Sequence, residues 1–224
     1  MKEKVNSLQS ETIEKDSAAL FNRYMHIISS KDSEQTYRLK SDTGEGIMRR
    51  YNVAKGVYCI YSEIESYYPE RQALKQLIKY IEIMYMIEGH AEFEMENRFC
   101  ASADTGDVCI FNSRVAAKNC IVGEKGMRCL SIIVCIDDAA DELNRIFDTK
   151  AFNKEVMFSG ALDADCCICF PATNMLKEIF GEMLKIPEKY GAFYRKLLAF
   201  QVIMATMDIK GQKVSDRQYF SKDT

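Results

Sequence analysis

The 224-residue sequence predicts an α+β fold that is mainly β: an antiparallel β-barrel with an amino-terminal helix and a carboxy-terminal antiparallel pair of helices. Apolar residues before Ser30 and after Ile136 recur with a helical period, whereas short β-rich runs and turn residues alternate between them. Hydrophobic residues make up 47% of the chain, enough to bury a core. We expect a helical segment (1–32), the barrel (33–136), a helical dimerisation region (137–209) and a linker (210–224).

The first helix is predicted over residues 11–29, with Ser10 as a suitable N-cap. Tyr24, Ile27 and Ile28 fit a period near 3.6 residues and would form its apolar face. His26 would lie on this helix as a surface imidazole.

The barrel strands are predicted where β-branched and aromatic residues cluster, over 47–51, 57–62, 80–87, 92–95, 108–111, 118–122 and 129–136. Turn residues separate them, among them Lys55-Gly56, Glu88-Gly89, the stretch 104–107 and the stretch 123–126. Several short strands without long helices between them favour an antiparallel sandwich or barrel. Residues 69–79 fit either loop or helical turns.

The carboxy-terminal helices are predicted over 137–147, capped by Asp137 or Asp138, over 174–186, and from Pro187 to about Ile209. The last two carry wide apolar stripes, which must cover the barrel, a second copy of the chain, or both. Dimerisation would use residues on these stripes, namely Met175, Ile179, Met183, Phe193, Leu197 and Met204.

Charge and cysteine content limit the class of protein. The formal net charge is −3, from 30 basic and 33 acidic residues. The chain therefore lacks the excess of basic residues expected of a protein that binds nucleic acid by itself. It has no apolar run of roughly 18 residues and no apolar stretch after its charged amino terminus, so neither a membrane span nor secretion is expected. Nine cysteines, an odd count, suit a cytoplasmic protein in which all remain thiols.

The strongest local signal is an ordered set of three segments: residues 81–89 ending in Glu88-Gly89, residues 91–95, and residues 105–111 containing Gly106-Asp107. Gly89 and Gly106 stand where tight turns need positive φ, and Asp107 can bond its own turn. This ordered set is similar to the cupin-like (double-stranded β-helix) sensing domain of AraC-type transcription regulators. The resemblance covers nearly the whole chain and implies effector binding and dimerisation.

The sequence departs from related families in two respects. Its two histidines, His26 and His90, cannot supply the three-histidine site of metal-binding cupins, so we expect a metal-free barrel and no cofactor. Nothing after Ser221 supplies a helix-turn-helix pair, which needs on the order of a hundred residues. We therefore expect the chain alone not to bind DNA specifically, and a full-length regulator to do so through that missing half.

A metal-free barrel would bind a small-molecule effector through polar groups on its strands. The set Ile81, Ile83, Tyr85 and Ile87 is expected to face a dry core. Candidate ligand-binding residues are Arg49, Tyr58, Tyr61, Glu82, Tyr85, Arg98 and Arg114, with Arg50 and Lys118 as further polar groups. A sugar, a peptide signal, a steroid or an aromatic acid would each be compatible.

An enzyme is not expected, because the sequence has no nucleophile elbow, phosphate loop or dinucleotide-binding glycine phrase. The stretch 163–169 contains Cys166, Cys167 and Cys169 and fits a soft-metal or redox cluster, but a strand with buried cysteines is the preferred interpretation. Two alternative classes remain: a stand-alone metal-free cupin that binds or converts a small molecule, and a cyclic-nucleotide-type β-roll regulator. The second needs a Gly-Glu beside its phosphate-binding Arg, which Arg114 lacks.

Overall fold

In the computed structural model, the described residues are 25–31, 33–41, 44–65, 79–95, 100–113, 117–164, 167–187 and 189–209. They contain the strands β1 (Met25–Lys31), β2 (Glu34–Ser41), β3 (Gly44–Ala54), β4 (Val57–Ile64), β5 (Tyr80–Met95), β6 (Cys100–Asp104), β7 (Asp107–Asn112), β8 (Ala117–Cys135) and β9 (Ile168–Pro171). The helices are α1 (Ile136–Ile146), α2 (Ser159–Leu162), α3 (Asn174–Met183) and α4 (Gly191–Thr206).

The nine strands form one antiparallel sheet in the order β1-β2-β3-β4-β8-β5-β7-β9, and β6 pairs with β5. The two longest strands, β5 and β8, pair along most of their length and form the centre of the sheet. Their apolar residues alternate, so that each strand buries one set of side chains on either face.

The two faces of the sheet are covered differently. On the outer face, Ile81, Ile83 and Ile132 pack in one cluster with buried residues of all four helices. On the inner face, the buried apolar residues belong to strands, as Met86 and Ala91 do, except Cys167, which immediately precedes β9. Since strands bury that face, the sheet is rolled on itself. The fold is therefore the cupin-like β-barrel with packed helices that the sequence predicts, and the dry core expected around Ile81 and Ile83 lies on its outer face.

The barrel is shaped by two bent strands where the sequence predicts four short ones. The expected breaks at Glu88-Gly89 and at 123–126 do not end β5 or β8; both strands continue with shifted register. Gly89 and Gly126 both have positive φ, 100° and 76°, and a Cβ at Gly89 would overlap the carbonyl oxygen of Gly126. Because the two backbones touch there, the paired strands β5 and β8 bend at this point. Strand β5 pairs with β7 before the bend and with β6 after it.

The turn between β6 and β7 confirms its prediction. Gly106 has a φ of 89°, and the Asp107 carboxylate accepts a hydrogen bond from the backbone N–H of Asp104 at 2.9 Å. Positive φ at Gly89 is confirmed as well, although it serves a bend rather than a turn.

The predicted amino-terminal helix is wrong where it can be checked. Met25–Lys31 forms β1, which pairs with β2, and Ile27 and Ile28 are half exposed. The free edge of β2 gives these residues backbone partners, and this pairing outweighs a helical period that few residues support. Residues 11–24 of that prediction, the alternatives for 69–78 and the linker 210–224 lie outside the described residues.

The helices after the barrel are confirmed, with corrections at their beginnings. The cap of α1 is Cys135 without a side-chain bond, since β8 runs directly into the helix; Asp137 and Asp138 lie in its first turn. Thr173 caps α3 by accepting from the N–H of Leu176. The last helix begins at Gly191 rather than at Pro187, because Tyr190 before it has a left-handed backbone, with φ 64°. Of the cysteine-rich stretch, for which a strand was preferred, Ile168 and Cys169 lie in β9, and Cys167 is buried immediately before it.

Candidate functional site

A cavity of about 250 Å³ lies between the outer face of the barrel and the helical pair formed by α3 and α4. Strands β3, β4 and β8 form its floor, and the end of α3, the following connection and α4 form its roof. The lining residues are Arg49, Tyr51, Cys59, Tyr61, Leu130, Met183, Leu184, Ile186 and Arg195.

Strand pairing sets the floor of this cavity. Arg49 and Tyr51 are two residues apart on β3 and therefore share a face. Arg49 lies opposite Tyr61, which lies opposite Leu130, so the three form one row across β3, β4 and β8. Tyr51 lies opposite Cys59 in the next row.

Aromatic packing holds the roof in place. The rings of Tyr85 on β5 and Phe180 on α3 are stacked, with centroids 4.8 Å apart and planes 6° apart. Phe180 is fully buried, which fixes the carboxy-terminal half of α3 on the barrel. Met183 and Leu184 thereby reach the cavity, and α4 packs beside α3 and brings Arg195 to it.

Two guanidinium groups face the cavity, and each lies over a tyrosine ring of the floor. The Arg195 guanidinium carbon is 3.9 Å from the centroid of Tyr51, and that of Arg49 is 5.6 Å from the centroid of Tyr61. Neither arginine forms an ion pair with a carboxylate of the described residues. Burial raises the pKa of the Cys59 thiol to about 12, so this side chain is neutral and adds no negative charge. The charged side chains among the lining residues are therefore both guanidiniums.

The tyrosines of the floor stay protonated at neutral pH. Burial is the largest cause that raises the pKa of Tyr51, followed by the charge of Glu34, which lies opposite it on β2. Burial also raises the pKa of Tyr61, whose hydroxyl donates to Glu63 at 2.6 Å. Neutral phenols beside two guanidiniums provide apolar ring faces without cancelling the positive charge.

The ligand-binding residues predicted from the sequence are spread over both faces of the barrel. Arg49 and Tyr61 line the cavity. Tyr58 lies on the inner face, where the Arg50 guanidinium is 4.2 Å from its ring centroid, and Glu82 shares that face. Tyr85 packs against Phe180. Arg98, Arg114 and the side chain of Lys118 lie outside what the structure describes.

Three titratable cavity residues, Tyr51, Cys59 and Arg195, were not identified from the sequence. Tyr51 and Cys59 could have been found, because strand alternation places them on the face of Arg49 and Tyr61. For Arg195 no sequence signal exists, since its position depends on how a helix more than a hundred residues away packs on β3.

The predicted dimerisation residues divide into two groups. Ile179 and Met183 are buried in the core between α3 and the barrel, at 9% and 7% exposure. Four others are exposed to solvent: Met175 at 53%, Phe193 at 61%, Leu197 at 45% and Met204 at 46%.

The cysteines correct one expectation. Cys109 on β7 and Cys169 on β9 form a disulfide, whereas the composition suggested nine thiols. The Sγ atom of Cys167 lies 3.1 Å from that of Cys169. Cys166, the other cysteine singled out in this stretch, lies outside the described residues.

His90 is a part-exposed residue on β5, and its ring Nδ1 lies 2.7 Å from a carboxylate oxygen of Asp104.

Membrane insertion through a helix finds no support in the described part of the chain, where no helix is both long and apolar enough to cross a bilayer.

No family model matches the sequence, and no curated protein matches it. Solved structures with a similar fold include the AraC-like transcriptional activator CuxR, which is 8% identical with a TM-score of 0.49, over 84% of this chain and 65% of that chain. A mutant oxalate decarboxylase from Bacillus subtilis is 14% identical with a TM-score of 0.33, over 57% of this chain and 39% of that chain.

An RmlC-like cupin protein from Desulfovibrio desulfuricans is 14% identical with a TM-score of 0.32, over 40% of this chain and 81% of that chain. This chain thus spans less than two thirds of the activator and of the decarboxylase. Similarities at this level assign it no function.

Proposed function

We propose that this chain is the effector-sensing and dimerisation domain of an AraC-type transcription regulator, and that its effector is a small organic anion bound in the cavity between barrel and helices. The observation that carries the proposal is the convergence of Arg49 from β3 and Arg195 from α4 on one cavity. The ordered sequence phrases around Gly89 and Gly106-Asp107 support the class of protein.

The lining chemistry supports the class of effector. A guanidinium presents several N–H donors in one plane and binds carboxylate or phosphate oxygens in pairs. Leu130, Met183 and Ile186 form an apolar wall beside these donors. A cavity of about 250 Å³ is slightly below the usual range for drug-sized ligands, so a small acid with an apolar or aromatic body fits best.

The position of the cavity supports a sensing role. Its two arginines belong to different layers, so an anion held by both would favour one arrangement of α4 on the barrel. A ligand shifts such an equilibrium by its difference in affinity for the two arrangements. In this proposal the chain binds its effector and does not convert it.

Dimerisation through the helical pair completes the proposal. Phe193, Leu197 and Met204 are spaced by four and seven residues and so share one face of α4. All three are exposed in the protomer. We propose that a second copy of the chain covers this face, and that DNA contact belongs to a helix-turn-helix half of the full-length regulator.

A thermal-shift screen of small carboxylates tests the site, with the amide of each acid as its neutral counterpart. We expect acids and not amides to raise the melting temperature. Arg49→Gln and Arg195→Gln should each weaken binding by about tenfold or more, since a charge-assisted hydrogen bond contributes roughly 1.5–3 kcal/mol. The control is Arg145→Gln, which removes an exposed arginine paired with Glu142 on α1. Acids that bind equally to all three variants would contradict the site.

Hydrogen exchange with a bound acid tests the coupling. The acid should slow exchange in β3 and in α4, the two elements that carry the arginines. Protection confined to β5 and β7 would instead place the ligand inside the barrel and refute the cavity as the effector site.

A further inference from the structure

Three cysteine sulfurs meet at the junction of β7 and β9. Cys109 and Cys169 lie directly opposite each other in the strand register and form the disulfide. Cys167 is two residues before Cys169, on the same side of the chain, and its sulfur lies 3.1 Å from that of Cys169. All three side chains are buried, and their sulfur atoms lie within 4.8 Å of one another.

This spacing matches a metal-thiolate centre. Three sulfurs bonded to one ion at about 2.3 Å in a trigonal plane would stand about 4.0 Å apart. The Sγ atoms of Cys167 and Cys169 are 3.1 Å apart and all three sulfurs lie within 4.8 Å of one another, so rotation of the reduced side chains can place them around one ion.

We propose that the reduced cluster of Cys109, Cys167 and Cys169 binds one soft monovalent cation, Cu(I). Thiolates select soft cations, and Cu(I) and Zn²⁺ are the principal candidates. Structural zinc sites are almost always four-coordinate, with tetrahedral geometry. The three converging sulfurs of this cluster instead suit a soft monovalent ion bound by thiolates, and we take Cu(I) as that ion. Each thiol that becomes a ligand releases its proton.

The binding form arises from the disulfide form by a two-electron reduction. A thiolate of a dithiol reductant attacks one sulfur of the Cys109–Cys169 bond, which releases the other cysteine and forms a mixed disulfide; the reductant's second thiol then attacks this mixed disulfide and releases the remaining cysteine. The reductant leaves as a disulfide, and Cys109 and Cys169 each gain a proton. The oxidised and metal-bound forms exclude each other because they use the same two sulfurs.

The wild-type protein alone provides the first test. Protein reduced with a dithiol and desalted without oxygen is titrated with Cu(I) in the presence of a colorimetric Cu(I) chelator. We expect the reduced chain to retain about one Cu(I), and X-ray absorption to show about three sulfur neighbours. The unreduced protein should retain none. If the reduced chain yields all its copper to the chelator, or binds Zn²⁺ in preference to Cu(I), the proposal is wrong.

Serine variants assign the ligands. Cys109→Ser, Cys167→Ser and Cys169→Ser should each weaken Cu(I) binding by more than about a hundredfold, beyond the effect expected for residues that only support a ligand. Cys100→Ser, on the edge strand β6, is the matched control and should bind as the wild type does. Far-ultraviolet circular dichroism establishes that each variant is folded. Unchanged affinity in Cys167→Ser would show that this sulfur is no ligand and would overturn the three-sulfur centre.

Discussion

The guanidinium of Arg195 on α4 lies over the ring of Tyr51 on β3, 3.9 Å from its centroid, and links the helical pair directly to the barrel. Both side chains are only partly buried. A planar guanidinium stacks on an aromatic face and keeps its N–H groups available at its edges. The contact can therefore stabilise the helix on the barrel while its donors remain available to a ligand.

A double-mutant cycle should detect this contact. Tyr51→Leu and Arg195→Met, singly and combined, should give a coupling energy of about 0.5–2 kcal/mol in urea unfolding, the range for cation–π pairs from exposed to desolvated sites. The pair Tyr51→Leu and Arg145→Met is the control, because Arg145 bonds Glu142 on α1, and it should show no coupling. A coupling energy that matches the control would mean that the stacking does not hold α4.

The bend of the central ribbon predicts different effects for two glycines that both have positive φ. At Gly106 an alanine Cβ would meet nothing within 4 Å, so Gly106→Ala should cost only the backbone strain, about 1–2 kcal/mol. At Gly89 the Cβ would also overlap the backbone of Gly126, and Gly89→Ala should cost about 3 kcal/mol or more. Chemical denaturation measures both. Equal losses would mean that the close approach of the two strands does not constrain the fold.

These two glycines also show which parts of the fold the sequence determines locally. The turn at Gly106-Asp107 was predictable, because its positive φ and the bond from the Asp104 N–H to the Asp107 carboxylate both lie within residues 104–107. Gly89 was predicted to have positive φ but was assigned to a turn. A bend and a turn need the same backbone at that glycine, and the difference is set by Gly126, which is far away in sequence.

The candidate site was predictable only in part, for the same reason. Arg49 and Tyr61 were identified on their strands, and alternation could have added Tyr51. The partners that complete the cavity and the thiol cluster, Arg195 and Cys109, are brought there by tertiary packing and by the β7–β9 pairing. No periodicity or spacing in the sequence indicates either contact.

The ion pair of His90 gives a dependence on pH. The hydrogen bond that His90 donates to the Asp104 carboxylate is the largest cause that raises the pKa of His90 above its ordinary value of 6.5, and Glu92 at 3.6 Å adds less. A raised pKa means that the pair stabilises the fold below about pH 6.5 and loses this effect as the pH rises through the folded-state pKa. Asp104→Asn should therefore lower the pKa of His90 in an NMR titration, and Glu92→Gln should lower it less. The reverse order would assign the shift to Glu92.

The same pair predicts how stability changes with pH. The loss of unfolding free energy in Asp104→Asn should be larger at about pH 5.5 than at about pH 8.5, where the imidazole is neutral in both proteins. The effect will be small because the pair is partly exposed and screened by solvent. A loss that does not change with pH would mean that Asp104 does not stabilise the fold through His90.

The exposed face of α4 predicts the oligomeric state. Apolar side chains of this size are rarely left together in water, and a second copy with the same face would bury them around a twofold axis. We expect a dimer in sedimentation equilibrium, and we expect Leu197→Glu and Phe193→Glu each to convert it to a monomer, because a buried, unpaired carboxylate is strongly unfavourable. The control is Ile28→Glu, which changes an exposed apolar residue on the edge strand β1. A wild-type monomer, or a dimer that survives both α4 variants, would place the interface on another surface of the chain.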